Sequence, residues 1–74
     1  MANGLLWFDD RKNISTEQKI LDAVLFYQQK FGVKPDCCYL NPLACDQNIP
    51  KQMAGLRIET KKYVLPNHFL LEKE

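Results

Sequence analysis

The sequence predicts an α+β fold, a two-layer β-α-β-β-(β) arrangement. One main helix, about residues 16–31, lies on one face of a mixed sheet of three to five short strands. Three observations carry this. The segment STEQKILDAVLFYQQKF has helical periodicity and carries signals at both ends. Short apolar runs, GLLWF and CCYL, stand before and after it. The remainder is cut by glycine and proline into short strand-like runs.

GLLWF (4–8) is ended by Asp9-Asp10. Leu5 and Trp7 alternate with Leu6 and Phe8, so burial on both faces is expected. DDRKNIS (9–15) is a polar connection. Ser15 as N-cap with Gln18 three residues on makes a capping box. Glu17 in the first turn and Lys30 in the last suit the helix dipole, and Gly32 follows as the residue able to take positive φ. Ile20, Ala23, Val24, Tyr27 and Phe31 share an arc of about 100° and should face the sheet. Gln18, Asp22 and Gln29 mark the opposite side. Leu25 and Phe26 fall on either flank and widen the apolar surface beyond what one contact needs.

VKPD (33–36) is a turn in which Pro35 holds Lys34 extended. CCYL (37–40) suits a central strand, ended by Asn41-Pro42. Residues 42–53 read as irregular, with one helical turn at 43–46. Gly55 opens LRIET (56–60), where Leu56 and Ile58 alternate with Arg57 and Glu59. Thr60 to Lys62 reads as a turn and YVL (63–65) as a brief strand. Pro66-Asn67 is a turn pair, and HFLLE (68–72) is the last strand. The strand–helix–strand opening implies a right-handed parallel crossover, and the later strands pair antiparallel through short turns.

A chain of 74 residues is one domain, 1–74. With 46% hydrophobic and 26% charged residues it is a folding composition rather than a disordered one. The net charge of +1 supplies no global field for nucleic acid or an anionic membrane. The longest basic runs, Arg11-Lys12 and Lys61-Lys62, have acidic residues nearby and read as solvated loop charges rather than phosphate contacts. No cationic leader precedes the apolar run LLWF, and no stretch approaches the ~20 apolar residues of a membrane span. The odd count of three cysteines then reads as reduced thiols in the cytoplasm.

A metal site would draw on Cys37, Cys38, Cys45 and His68, but structural zinc sites use paired ligands spaced C-x₂₋₄-C. Adjacent residues of a strand point to opposite faces, so Cys37 and Cys38 read as small core residues. Cys–His catalysis needs contact between the two side chains and an orienting group, and the sequence marks none. Asp9-Asp10 after a strand is a position where α/β proteins place functional carboxylates. Without a Gly-rich phosphate loop the pair reads as a strand terminator. P-loop, GxGxxG, HExxH and GxSxG motifs are missing. Trp7, Phe8, Tyr39 and Tyr63 sit in apolar runs rather than among Lys and Arg, which argues against base stacking. No catalytic, cofactor-binding or metal-ligating set is assigned. His68, in VLPNHFLLE, reads as a strand residue that donates to a backbone carbonyl or lies at an interface.

Taken together, the WFDD segment, the central helix, FGVKPDCCYLNP and the VLPNHFLL tail resemble short uncharacterised prokaryotic proteins of similar length. That similarity spans most of the chain and implies no established activity. The succession of helix, GVKPDCCYLNP, AGLRIET and LPNHFLLE is similar in rhythm to the axial domain of the phage capsid fold over residues 17–72. The long helix and extended arm of a capsid protein are missing here, and no functional residue is carried over.

One 16-residue helix covers one face of a sheet whose strands look apolar on two, and Leu70 lies opposite Phe69 and Leu71. Large uncovered apolar patches mark interfaces. The expected function is therefore a homo-oligomeric protein-interaction module, most simply a two-fold dimer, with interface residues Trp7, Leu25, Phe26, His68 and Leu70. The competing expectation is that residues 42–54 cover the second face. Two other functional classes stay open: a nucleic-acid-associated accessory protein of a mobile element, and a small enzyme using Asp9, Asp10 or His68.

Overall fold

Seven elements span the residues that a computed structural model describes, 3–44, 51–53 and 55–73. They are β1 (Asn3–Phe8), α1 (Thr16–Phe31), β2 (Cys37–Leu40), a 3₁₀ turn at Pro42–Ala44, β3 (Gln52–Met53), β4 (Leu56–Thr60) and β5 (His68–Lys73). The fold is α+β, with one helix against a five-stranded mixed sheet in the order β1-β5-β2-β4-β3.

The helix begins and ends where its cap residues require. Ser15 is extended, and its Oγ accepts from the Gln18 N–H at 3.1 Å. Gly32, at φ 77°, donates its N–H to the Gln28 carbonyl at 2.8 Å and closes the last turn. Between the caps, Ile20, Ala23 and Tyr27 are buried, with Val24 and Phe31 packed beside them. From the sheet come Cys38, Leu40, Leu56, Ile58, Phe69 and Leu71. The expected helical stripe is thus the core stripe.

The sheet departs from expectation in the pairing of its later strands. β1 and β2 run in the same direction, but they are not neighbours. β5 lies between them, antiparallel to both. β2 pairs in parallel with β4, so β4 and β5, joined by a short turn, do not pair. The second departure is β3, in a segment expected to be irregular. Gln52 and Met53 pair antiparallel with Arg57 and Leu56 across a two-residue connection ending in Gly55, φ 78°.

The third concerns YVL, expected as a strand. Its groups are satisfied without a ladder. Val64 N–H donates to the Lys61 carbonyl at 3.1 Å, and the Val64 carbonyl accepts from Asn41 Nδ2 at 2.7 Å. Val64 is a buried plug in a turn rather than a strand residue. Asn67, at φ 65°, completes the turn into β5. The expected helical turn at 43–46 is a 3₁₀ turn at Pro42–Ala44, opened by Asn41 Oδ1 accepting from the Leu43 N–H at 2.8 Å; residues 45 and 46 lie outside the described residues.

Replacing Ser15 with Ala removes the acceptor for the Gln18 N–H. The expected loss is about 1 kcal/mol of unfolding free energy, read by urea titration, with the native far-UV spectrum retained.

Candidate functional site

β1 is the terminal strand of the sheet. Its register with β5 runs from Asn3 opposite Lys73 to Phe8 opposite His68. One step further, the Asp9 N–H donates to the Asn67 carbonyl at 2.9 Å. Antiparallel neighbours alternate between pairs that exchange hydrogen bonds and pairs that do not. Counting back from Asp9, Trp7 and Leu5 turn their backbone groups toward β5. Gly4, Leu6 and Phe8 turn theirs outward, where the sheet has no further strand among the described residues. The strand carries no charge and no proline. It lacks those usual devices that keep an edge from pairing with another chain. At the opposite edge, β3 is only two residues long.

The side chains of β1 divide between two surfaces. Leu5 and Trp7 point toward the helix and are half-buried, so the expectation of burial on both faces fails at this strand. The physical reason is its edge position. Leu6 is 59% exposed and Phe8 56% exposed on the other face. There Leu6 lies opposite Leu70, and Leu70 opposite Tyr39, in one cross-strand row. Beside it Phe8 meets the His68 ring with centroids 5.0 Å apart. Farther across, toward β4, the same face becomes charged. Arg57 Nε donates to Glu59 at 2.8 Å, and Lys61 stands over the Tyr39 ring.

Four of the five residues expected at an interface gather around β1. Trp7 packs against Phe26 on the helix side, with centroids 5.0 Å apart, while His68 and Leu70 lie on the open side. Phe26 is 43% exposed, and Trp7 Nε1 is buried without a hydrogen-bond partner among the described residues. Leu25, 56% exposed, falls on the other flank of α1 with Leu21, one helical turn away. Sequence reasoning missed Leu6 and Phe8, because alternation alone does not say which strand ends the sheet. The described part of residues 42–54 does not cover this end of the open face, since Leu6 and Phe8 remain exposed.

The loop after β1 is organised by an ion-pair clamp. Asp9 is a buried carboxylate. It accepts from the Arg11 N–H at 3.1 Å, from Arg11 Nε at 2.9 Å and from Arg11 Nη2 at 2.7 Å. Arg11 Nη2 also donates to Asp22 at 2.7 Å, and Asp22 accepts from Gln18 Nε2 at 2.9 Å. Arg11 is thus a half-exposed loop charge held by two carboxylates, and Asp9 ends β1 with its carboxylate buried. Together they clamp the end of β1 to the second turn of α1. Arg11 holds the Asp9 carboxyl below its ordinary value of 3.8, against the opposing effect of burial. It holds Asp22 low as well. Outside the clamp an open polar groove of about 750 Å³ runs along Asp10, Lys12, Asn13, Lys19 and Asn67.

Cys37, Cys38 and His68 do not converge. Cys38 faces the helix, and Cys37 faces the other side, where it opposes Glu72. Glu72 is four residues along β5 from His68, a separation of about 13 Å. That is too far for a Cys–His pair. His68 Nδ1 lies 2.8 Å from the Pro66 carbonyl. A carbonyl only accepts, so Nδ1 carries the proton. Among the described residues no group of three His, Cys, Asp or Glu side chains comes together to hold a metal; Cys45 lies outside them. No helix among them is long and apolar enough to cross a membrane. No family model, curated protein or solved structure matches the chain.

The clamp has a pH signature. A folded-state pKa below the unfolded one means that Asp9 stabilises fully above about pH 4, and that this contribution is lost as pH falls through the folded value. Asp9→Asn is expected to cost about 1 kcal/mol at neutral pH, a charge-assisted bond discounted for the half-exposed Arg11. The gap between variant and wild type should narrow once pH drops below 3.8. Urea titrations across that range check both statements.

Proposed function

We propose that this chain is a small protein-interaction module that works by self-association, most simply as a two-fold homodimer in the cytoplasm. The observation that carries the reading is the apolar surface around β1. Leu6 and Phe8 are exposed on one side of the strand and Phe26 on the other, next to a backbone edge that is unpaired among the described residues. Scattered exposed leucines are ordinary; a patch wrapped around an open strand edge is an interaction site. Cys37 and Cys38, buried thiols outside any disulfide, support a reducing compartment.

The chemistry of the other polar groups favours binding over catalysis. Arg11 is held by two carboxylates of its own chain, Lys61 lies near Glu59 at 3.8 Å, and His68 Nδ1 is taken by a carbonyl. None of these groups is aimed together with another at a common point, as acid–base catalysis requires.

Native mass spectrometry of the untagged protein over a dilution series tests the proposal. The expected species is a dimer without adduct that gives way to monomer on dilution. The emission of Trp7, the single tryptophan, should shift over the same range. A monomer at every concentration, or one carrying the mass of a metal or small molecule, would overturn it. Phe26→Glu should weaken the dimer at least tenfold.

A further inference from the structure

We infer that the two copies join through β1 itself, as an antiparallel β1–β1 pair whose two-fold axis passes beside Leu6, making one continuous ten-stranded sheet. This rests on the self-association proposed above and names its geometry.

The argument begins with the backbone. Gly4, Leu6 and Phe8 present their N–H and C=O groups outward, as derived from the Asp9–Asn67 bond and the β1–β5 register. A two-fold antiparallel pairing of one strand with its copy needs the outward residues to map onto one another. Centring on Leu6 does so: Leu6 meets Leu6 of the second copy, and Gly4 meets Phe8 in both directions. Each of these is a pair that exchanges two hydrogen bonds, so the three pairs make six. Every outward group of the strand interior then has a partner. β1 holds no charged residue, so no like charges oppose each other within it.

The side chains support the same register. In the monomer Leu6 extends the row Leu70–Tyr39 to the edge and stops at solvent. With Leu6 against its copy, the row runs unbroken from Tyr39 of one chain to Tyr39 of the other. Phe8, already against His68 on one side, gains Gly4 of the second copy on the other.

Gly4 has no explanation in the monomer. Its φ is not positive, and an added Cβ would meet nothing closer than Glu72 Oε2 at 3.9 Å. Glycine weakens a strand and often marks close approach of another group, and opposite an aromatic ring it leaves the ring room to lie on the strand. On the helix side the same register places Leu5 against Trp7 of the second copy. That brings Trp7 and Phe26 of both chains to the junction. A foreign strand could use the same edge, but only a second copy sets Gly4 opposite Phe8 on both sides of Leu6.

Amide hydrogen exchange by NMR tests the pairing on the wild-type protein. The expected result is that the Gly4, Leu6 and Phe8 amides are protected at least tenfold more in concentrated than in dilute samples. The Leu5 and Trp7 amides, bonded to β5, should be protected in both. A dimer in which those three amides exchange as fast as in dilute monomer would overturn edge pairing and leave self-association standing. A monomer at all concentrations would overturn both. Leu6→Pro gives a second reading, because proline is tolerated on an edge strand where the lost N–H faces solvent. It should abolish the dimer while keeping the native far-UV spectrum, and a persisting Leu6→Pro dimer would overturn the pairing. If that variant does not fold, the wild-type exchange result decides.

Discussion

The fold depends on β5 occupying the gap between β1 and β2. Phe69 and Leu71 are the sheet's central contribution to the core, and both come from this last strand. Leu71 opposes Leu5 on one side and Cys38 on the other, so one residue ties three strands into a single apolar layer. Without β5, β1 would have no partner strand, and β2 would pair only with β4. The early elements therefore cannot complete the sheet until the end of the described chain arrives. The β1–β5 contacts are of long sequence separation, the kind whose loop-closure cost must be met before they stabilise.

The Asp9 clamp answers part of that cost locally. A β1 strand held only at a sheet edge needs its exit direction set, because the connection to α1 is seven residues of polar loop. Arg11 bridges Asp9 and Asp22 and fixes both ends of that connection by charge-assisted hydrogen bonds. Asn41 does the corresponding work after β2, where its side chain joins the 3₁₀ turn to the Val64 carbonyl. Both devices lie at the same end of the sheet, where β1, β2 and β4 finish and β5 begins. The opposite edge of the sheet closes with the short β3 hairpin.

Among the described residues a single helix packs on one face of the five strands, and the other face is uneven. Near β4 it is polar, with Arg57, Glu59 and Lys61 keeping water close. Near β1 it is apolar and ends in an open backbone edge. The contrast gives the molecule a direction: the face is charged on the β4 side and apolar on the β1 side. Pairing two β1 edges would remove the unsatisfied backbone groups and the exposed leucine and phenylalanine in one step.

Much of this was legible from the residues. Local signals defined α1 completely: Ser15, Gln18 and Gly32 act within a few residues of themselves, and the Ile20–Ala23–Tyr27 stripe follows from helical periodicity. β2, β4 and β5 were legible for a similar reason, as alternation and turn residues are local facts. Strand order was not, because GLLWF has the same pattern whether it lies at the centre or at the edge. Only the insertion of β5 beside it made Leu6 and Phe8 surface residues and turned Gly4 into an open position. Nor could local pattern foresee that Asp9 would be buried, since a carboxylate after a strand looks like a terminator until Arg11 and Asp22 are brought to it. The sequence by itself determined α1, β1, β2, β4 and β5, because their patterns are satisfied within a turn or two of chain, but not β3 or the turn at 63–65. Tertiary structure alone decided which edge is open, because that depends on where distant strands find their partners.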